Sequence, residues 1–286
     1  MVVGLSGGLG NQLFQYAAGR ALSLRLNVPL ELDVSWFSGR TDRNYALQPF
    51  KINGAIRKRH VWLPNFLIRT ESRISRRFAL NRMTVPIYRE PHFHFDAGFE
   101  KLQHPVFLEG YWQSPRYFEK YVDFIRSDLT LAEPLPAQCQ SMLMEIQKSD
   151  AICLHIRRGD YVSNRRVAGT HSSCSLDYYW EAVMHVMSGL FRPKCFLFSD
   201  DHVWVRNNIN LPCEFVVVDI NTSGEAYRDL VLMSECRHFV IANSSLSWWA
   251  AWLGSYCGKR VVAPSNWFKD KRKNTKDLIP AEWEQL

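Results

Sequence analysis

The amino-acid sequence of 286 residues predicts an α/β protein built on parallel sheets. In its second half, short apolar runs alternate with helical patterns, which is typical of right-handed βαβ units. At its start, a strand, a Gly-rich turn, a helix and a second strand follow one another in the same order. The length allows one large domain or two domains of ordinary size.

The composition is that of a soluble globular protein, with 47% apolar and 22% charged residues. A net charge of +7 predicts attraction to anions in general, without separating nucleotides from nucleic acid or anionic lipid. No apolar run approaches the roughly 20 residues of a membrane helix, and Met1–Leu5 is too short for a signal peptide. The seven cysteines include no CxxC pair, so we expect buried, reduced thiols in a cytoplasmic protein.

The first predicted βαβ unit runs from strand Val2–Leu5 to strand Val28–Asp33. The Gly-rich turn from Gly7 to Gly10 could hold an anion at the start of the intervening helix, which makes Gly10 and Asn11 candidate ligand-binding residues. The spacing of the glycines is not the dinucleotide fingerprint. A tight turn that only lets the helix pack on the sheet is therefore an equal alternative, and Asn11 can equally be a capping residue.

The segment from Lys51 to Arg89 is strongly basic, with ten lysines and arginines against Glu71 alone and aromatic residues between them. A basic amphipathic segment is typical of a contact with a membrane surface or a polyanion. A solvated helical face that covers the first domain is the alternative.

A turn of sequence Gly-Tyr-Trp-Gln-Ser follows the predicted strand Val106–Glu109. An exposed Tyr111 and Trp112 beyond a strand end would suit stacking on a sugar ring, although packing in the core is the usual role of aromatic residues. Residues from Pro115 onward read as a short helix. The segment Leu131–Pro136 contains two prolines and is the predicted linker, which gives an N-terminal domain of residues 1–135 and a C-terminal domain of residues 136–286.

The second half carries its polar residues directly after predicted strands. The predicted strands are Ala151–Ile156, Cys195–Phe198, Phe215–Val218, Phe239–Ala242 and Val261–Ala263, and the predicted helices between them are Leu176–Leu190, His202–Asn208, Glu225–Glu235 and Ser247–Leu253. The polar clusters are Arg157/Arg158, Ser199/Asp200/Asp201 and Asn243/Ser244/Ser245. Because the carboxyl ends of parallel strands meet at one edge of a sheet, these clusters predict a single ligand-binding crevice.

Arg157 and Arg158 are suited to a dianionic group, since each guanidinium offers a planar fork of donors and keeps its charge. An ion-paired strand end, with Asp160 neutralising one arginine, is the alternative. The turn Asn243–Ser245 can meet phosphate oxygens at a helix start, or it can be a plain N-cap. Asp200 and Asp201 can hold a divalent metal ion, or one can cap a helix while the other accepts hydrogen bonds from a guanine edge. With two arginines available for a pyrophosphate, we favour the metal-free account.

The stretch His155-Ile156-Arg157-Arg158-Gly159-Asp160-Tyr161 resembles the H-x-R-R-G-D-Y motif of α-1,2-fucosyltransferases, the bacterial members of glycosyltransferase family 11. Further ordered matches extend the resemblance over nearly the whole chain, at Gly7–Gln12, Gly110–Ser114, Cys174–Tyr179, Phe198–Asp201, Leu232–Cys236 and Ile241–Trp249. The resemblance implies a GT-B fold, in which two Rossmann-like domains face each other across a cleft. It also implies inverting transfer of L-fucose from GDP-β-L-fucose to the 2-hydroxyl of a terminal β-galactoside, without a cofactor or metal ion.

The resemblance further implies roles for individual residues. Arg158 would hold the β-phosphate and stabilise the leaving GDP, and Arg157 would support it or Asp160. The residues expected to line guanosine and phosphates are His155, Asp200, Asn243, Ser244, Ser245, Gly10 and Asn11. The residues expected on the acceptor side are Tyr111, Trp112, Gln113 and Asp177.

Inversion also requires a group that takes the proton of the acceptor hydroxyl. His171 is the candidate, because Gly169-Thr170-His171 follows the arginine motif much as a catalytic Gly-Thr-Glu does in core α-1,6-fucosyltransferases. Asp160 is the rival, although arginines beside it would make it a weak base. A reaction without a strict base, with late loss of the proton, is the third alternative.

Two other functions compete with this hypothesis. One is a fucosyltransferase of another linkage, acting on a peptide or a core sugar. The other is a non-catalytic α/β module that binds RNA through the basic segment, for which the sequence carries no RNA-module signature. If the galactose-terminated acceptor is lipid-linked, as an O-antigen unit would be, the segment 51–89 would dock at the inner membrane surface.

Overall fold

The chain forms two separate sheets in which all strand pairs are parallel. The computed structural model describes residues 1–39, 41–57, 85–159, 173–270 and 272–286. The first sheet has the order β3-β2-β1-β5-β4. Its strands are β1 Val2–Gly4, β2 Glu31–Asp33, β3 Ala55–Arg57, β4 Ile87–Arg89 and β5 Phe107–Glu109.

The second sheet has the order β11-β10-β9-β6-β7-β8, which is the order of a doubly wound nucleotide-binding sheet. Its strands are β6 Asp150–Ile156, β7 Pro193–Ser199, β8 Glu214–Val217, β9 His238–Val240, β10 Val261–Ala263 and β11 Glu284–Gln285. The chain winds outward from β6 to β8 and then returns to pair β9 with β6. The connections therefore diverge between β6 and β9, where a crevice opens at the carboxyl edge.

The described helices pack against these sheets and against one another. They are α1 Leu9–Leu26, α2 Val122–Asp128, α3 Ala137–Gln147, α4 Leu176–Met187, α5 His202–Asn208, α6 Ala226–Ser234 and α7 Ser245–Leu253. Ser175 and Asp201 cap α4 and α5, because their side chains accept hydrogen bonds from backbone N–H groups of the first turns. One of the two interpretations of the Asp200–Asp201 pair, a helix cap, is thus confirmed for Asp201.

The predicted alternation of the second half is confirmed, with strand ends within two residues of the predictions. Three details were wrong. Helix α4 ends at Met187 and not at Leu190. The residues from Pro115 form two short 3₁₀ helices before α2. Helix α1 begins at Leu9, so Asn11 lies inside the helix and Gly8 occupies the capping position.

The two ends of the basic segment differ from the expected helical face. Ala55–Arg57 and Ile87–Arg89 are the outer strands β3 and β4 of the first sheet. Their side chains are mostly exposed, because an outer strand lies against the sheet on one side only. Residues 58–84, which hold most of the basic side chains, lie outside the described residues.

A continuous aromatic core joins the two sheets. Phe14 of α1 lies 4.5 Å from Trp248 and 5.0 Å from Trp249 of α7, measured between ring centroids. All three side chains are fully buried, and burial of such a side chain contributes roughly 1.5–3 kcal/mol. Gly10 permits this packing, since a Cβ atom there would lie 2.5 Å from the backbone of Ser245. The first turns of α1 and α7 therefore lie in direct contact.

The seven cysteines all lie in described parts of the chain and are free. Cys139, Cys153, Cys195 and Cys236 are buried, as expected. No helix in the described ranges is long and apolar enough to cross a membrane.

Candidate active site

The carboxyl ends of strands from both sheets meet at Asn11. Its Oδ1 accepts hydrogen bonds from Nε2 of Gln113, at 2.8 Å, and from Oγ of Ser245, at 3.0 Å. Gln113 follows β5 and Ser245 follows β9, while Asn11 follows β1. The divergence points of the two sheets thus face each other, and the cleft between them is the candidate active site.

Asp200 organises the arginine turn at the end of β6. Its carboxylate lies 3.0 Å from a terminal nitrogen of Arg157 and accepts the backbone N–H of Arg158 at 2.9 Å. Gly159 is required here, because a Cβ atom at that position would lie 2.6 Å from Oδ2 of Asp200. Burial raises the pKa of Asp200, but the Arg157 guanidinium and the N–H groups of Arg158 and Gly159 outweigh it and hold the pKa below its ordinary value. Asp200 is therefore ionised, and it holds the Arg157 side chain and the backbone of the arginine turn in place.

Arg158 is held at the cleft by an aromatic ring. Its guanidinium carbon lies 3.8 Å from the ring centroid of Trp204, and its Nε lies 3.7 Å from a carboxylate oxygen of Asp201. This Nε is buried and has no hydrogen-bond partner among the described residues. A cation–π contact fixes the plane of the guanidinium without occupying its N–H donors, so the fork stays available to an anion.

His155 lies on β6 beside this turn and is buried, with 4% of its surface exposed. Burial and the Arg157 charge lower the pKa of His155, Asp200 opposes the change, and the net result is a pKa of about 4. The imidazole is neutral near pH 7 as a result. Its Nδ1 has no hydrogen-bond partner in the described part of the chain, so it can bind a polar group of a ligand.

In the turn after β9, the start of helix α7 is better suited to an anion than the side chains of the turn are. Asn243 is buried and donates to the carbonyl of Trp267 at 3.0 Å, so its amide group holds the turn in place. Ser244 occupies the capping position of α7 without a side-chain cap, and Ser245 donates to Asn11. The N–H groups in the first turn of a helix such as α7 have no partner within the helix, so they are suited to binding an anion.

The acceptor side differs from the sequence prediction at Trp112. This side chain is fully buried among Tyr88, Phe99 and Tyr117, so the expectation of an exposed tryptophan was wrong. Trp112 has a positive φ of 56°, which turns its ring into the core, whereas Tyr111 is 47% exposed. Only the tyrosine of this pair can stack on a sugar from the cleft.

Asp177 lies at the start of α4 and lines an open cavity of about 320 Å³ with Ser175, Glu181 and Asn266. Asp160 and His171 lie outside the described residues, so their predicted roles stay predictions. No group of three or more histidine, cysteine or acidic side chains that could hold a metal ion occurs in the part of the chain that the structure describes.

Three site residues were not identified from the sequence. Trp204 gave no signal, because an aromatic residue in a short amphipathic helix reads as core. For Gly159, the sequence suggested that the glycine lets the backbone approach a ligand closely, but it gave no sign of the close approach to Asp200. Glu90 follows β4 and accepts the backbone N–H groups of Tyr111, at 2.7 Å, and Trp112, at 3.0 Å.

Comparisons with known proteins agree with this geometry. The sequence profile of Glycosyl transferase family 11 matches residues 2–286. An alpha-1,2-colitosyltransferase of Escherichia coli is 30% identical over 297 residues, which cover 100% of this chain and 98% of that protein. The O-antigen biosynthesis glycosyltransferase WbnK of Escherichia coli is 31% identical over 296 residues, which cover 94% of this chain and 95% of that protein.

A solved structure shows the same fold. A FUT1 mutant of Arabidopsis thaliana in complex with GDP superimposes with a TM-score of 0.51 at 11% identity, covering 98% of this chain and 74% of that one. Together with the two parallel sheets, this likeness confirms the GT-B type of fold that the sequence predicted.

Proposed function

The chain belongs to glycosyl transferase family 11, and we propose that it transfers L-fucose from GDP-β-L-fucose to the 2-hydroxyl of a terminal β-galactoside. The product of this inverting reaction is an α-1,2-fucosyl linkage. The proposal rests on the pair Arg157 and Arg158 at the divergence point of the second sheet. Asp200 holds this pair in place, through an ion pair with Arg157 and a hydrogen bond from the backbone N–H of Arg158.

Arg158 acts on the leaving group. In the transition state the bond between the sugar C1 and the β-phosphate oxygen breaks, and the diphosphate gains negative charge. A guanidinium already oriented on Trp204 stabilises that charge without reorganising, which is the largest catalytic contribution expected for such a step. The start of α7 and the neutral His155 bind the remaining polar groups of the nucleotide.

The acceptor approaches from the first sheet. Tyr111 is the exposed aromatic residue of the turn after β5, and Gln113 of the same turn is bound to Asn11 at the meeting point of the sheets. A galactose stacked on Tyr111 would face the donor bound beyond Asn11. Asp177 stays a candidate for a more distant contact with the acceptor.

His171 is the proposed base, and it takes the proton of the galactose 2-hydroxyl as that oxygen bonds to C1 of fucose. Asp160 is the rival. The substitution His171→Ala should reduce turnover by roughly 10²-fold or more, the contribution typical of general-base catalysis. Near-normal turnover of the folded variant would remove His171 from this role.

The experiment that tests the function is incubation of the purified chain with GDP-fucose and a panel of β-galactosides, with and without EDTA, followed by linkage analysis of the products. We expect an α-1,2-linked product and no loss of turnover in EDTA, because the proposed mechanism contains no metal step. Absence of product, or another linkage, would contradict the proposal. A non-catalytic RNA-binding module would instead bind RNA in a salt-sensitive way and be indifferent to GDP.

A colitose donor is the second candidate, because the colitosyltransferase relative matches this chain over its full length. Colitose is fucose without its 3-hydroxyl group. A site that hydrogen-bonds this hydroxyl rejects the deoxy sugar strongly, whereas a site without such a contact discriminates weakly. Competition between equal concentrations of GDP-fucose and GDP-colitose measures which donor the chain uses.

The basic segment gives a further proposal about location. If the acceptor is lipid-linked, segment 51–89 docks the enzyme on an anionic membrane surface. Flotation with vesicles of anionic lipid tests this, and absence of binding at low salt would contradict it.

A further inference from the structure

Glu90 bridges the two consecutive N–H groups of the acceptor-side turn. Its Oε2 accepts from Tyr111 at 2.7 Å and its Oε1 accepts from Trp112 at 3.0 Å. Gly110 lies directly against it, and a Cβ atom at Gly110 would be 2.4 Å from Cβ of Glu90. The carboxylate and the turn therefore fit each other without space for movement.

The turn that Glu90 holds is an unfavourable one. Trp112 has a φ of 56°, in the left-handed region that a bulky residue rarely adopts. This conformation buries Trp112 in the core, and Tyr111 of the same turn is exposed. Two charge-assisted hydrogen bonds to adjacent N–H groups compensate the strain.

We propose that Glu90 is a positioning residue for the acceptor, whose ionised carboxylate holds the turn Gly110–Gln113 so that Tyr111 faces the sugar. The inference rests on the proposed function, since it assigns the acceptor sugar to Tyr111. The ionised form satisfies both N–H groups with charge-assisted hydrogen bonds, whereas protonation removes the charge and leaves one oxygen as a donor and only a weak acceptor.

The surroundings of Glu90 make its ionisation sensitive to pH near neutrality. Burial raises the pKa of Glu90, the N–H groups of Tyr111 and Trp112 and the nearby His92 partly oppose it, and the net result is a pKa of about 7. Tyr117, which also interacts electrostatically with Glu90, has its own pKa raised by burial and is neutral. Protonation of Glu90 below pH 7 should therefore release the turn and weaken acceptor binding.

The test compares Glu90→Gln with Glu109→Gln in steady-state kinetics. Glu109 ends β5 and is an exposed carboxylate paired with Arg89 at 2.8 Å, so it is a matched control outside the turn. We expect E90Q to raise the KM for the galactoside about tenfold, as expected for loss of a charge-assisted hydrogen bond, with donor KM and GDP affinity within twofold of wild type. E109Q should leave the acceptor KM and the donor KM within twofold of wild type.

Two further measurements separate positioning from a general structural defect. If Glu90 acts through Tyr111, the double variant E90Q/Y111A should have the acceptor KM of Y111A alone. The acceptor KM of the wild-type chain should rise as pH falls from 8 to 6, and that of E90Q should not. If E90Q does not fold, Gly110→Ala tests whether the position of the turn controls acceptor binding. This variant displaces the turn and keeps the carboxylate, so it should also raise the acceptor KM.

Three results would overturn the inference: an acceptor KM of E90Q within twofold of wild type, an equal rise in the donor KM, or additive effects of E90Q and Y111A. If the wild-type chain forms no product with any galactoside, the proposed function fails first. If the wild-type chain is active and E90Q keeps the acceptor KM, only the inference about Glu90 fails.

Discussion

Substitution of Arg158 is the sharpest test of the mechanism. The structure holds this guanidinium 3.8 Å above Trp204, and its Nε lies 3.7 Å from Asp201, too far for a hydrogen bond, so the guanidinium can still donate to the leaving diphosphate. Removal of a single preorganised donor of this kind costs about 2.7–4 kcal/mol of transition-state stabilisation. We therefore expect Arg158→Ala to reduce kcat about 10²- to 10³-fold, and Arg158→Lys, which keeps the charge but loses the planar fork, to reduce it roughly tenfold.

Trp204 gives an independent part of the same test. A cation–π contact contributes about 0.5–2 kcal/mol, so Trp204→Leu should lower kcat/KM about twofold to thirtyfold while leaving the Arg158 charge in place. The assay is initial-rate turnover of GDP-fucose, with calorimetric titration of GDP and the unfolding midpoint measured for each variant. Arg237→Ala is the matched control, because Arg237 pairs with Asp150 at the opposite, amino-terminal edge of the same sheet. Turnover of R158A within threefold of wild type, with an unchanged midpoint, would refute the role of Arg158.

Three further predictions concern stability and follow from packing and charge. Gly10→Ala should lower the free energy of unfolding by about 1–3 kcal/mol, because its Cβ atom would lie 2.5 Å from Ser245. Gly8→Ala, with nothing within 4 Å, should lower it by only about 0.5–1 kcal/mol, because alanine is a poorer helix cap than glycine. Asp200→Asn should be less stable than wild type at pH 7 in chemical denaturation, and the difference should close below about pH 3.8, because the pKa of Asp200 is held below this ordinary value in the folded state. The pKa of Glu90 is raised from 4.5 to about 7, so wild type should lose stability relative to E90Q as pH rises from 4.5 through 7, by on the order of 3 kcal/mol.

The second sheet could be predicted from the sequence because its inner strands are buried on both faces. Strands such as β6 and β7 are continuous apolar runs, and each ends abruptly in polar residues. The missed strands β3, β4 and β11 have two or three residues and mostly exposed side chains, so they lack a burial pattern. Their pairing is set by neighbouring strands, which is a tertiary effect.

The site could be predicted only in part, because some of its contacts depend on tertiary structure. The sequence suggested Asp160, which is near in the chain and lies outside the described residues, as the partner of an arginine, but it gave no sign that Asp200 pairs with Arg157. Register decides this contact: Ile156 pairs with Ser199 across β6 and β7, which brings the next residues of both strands side by side. The position of Trp112 depended on the sign of one backbone angle, for which the residues after a strand give no signal.

The continuous aromatic core between α1 and α7 has a consequence for protein engineering. Phe14 packs on Trp248 and Trp249, and Arg126 of the first half donates hydrogen bonds to the carbonyls of Trp252 and Leu253 at the far end of α7. Neither half, expressed alone, could cover these surfaces. A chimera that combines the first half of one family member with the second half of another will fold well only if the facing positions of both helices come from the same parent.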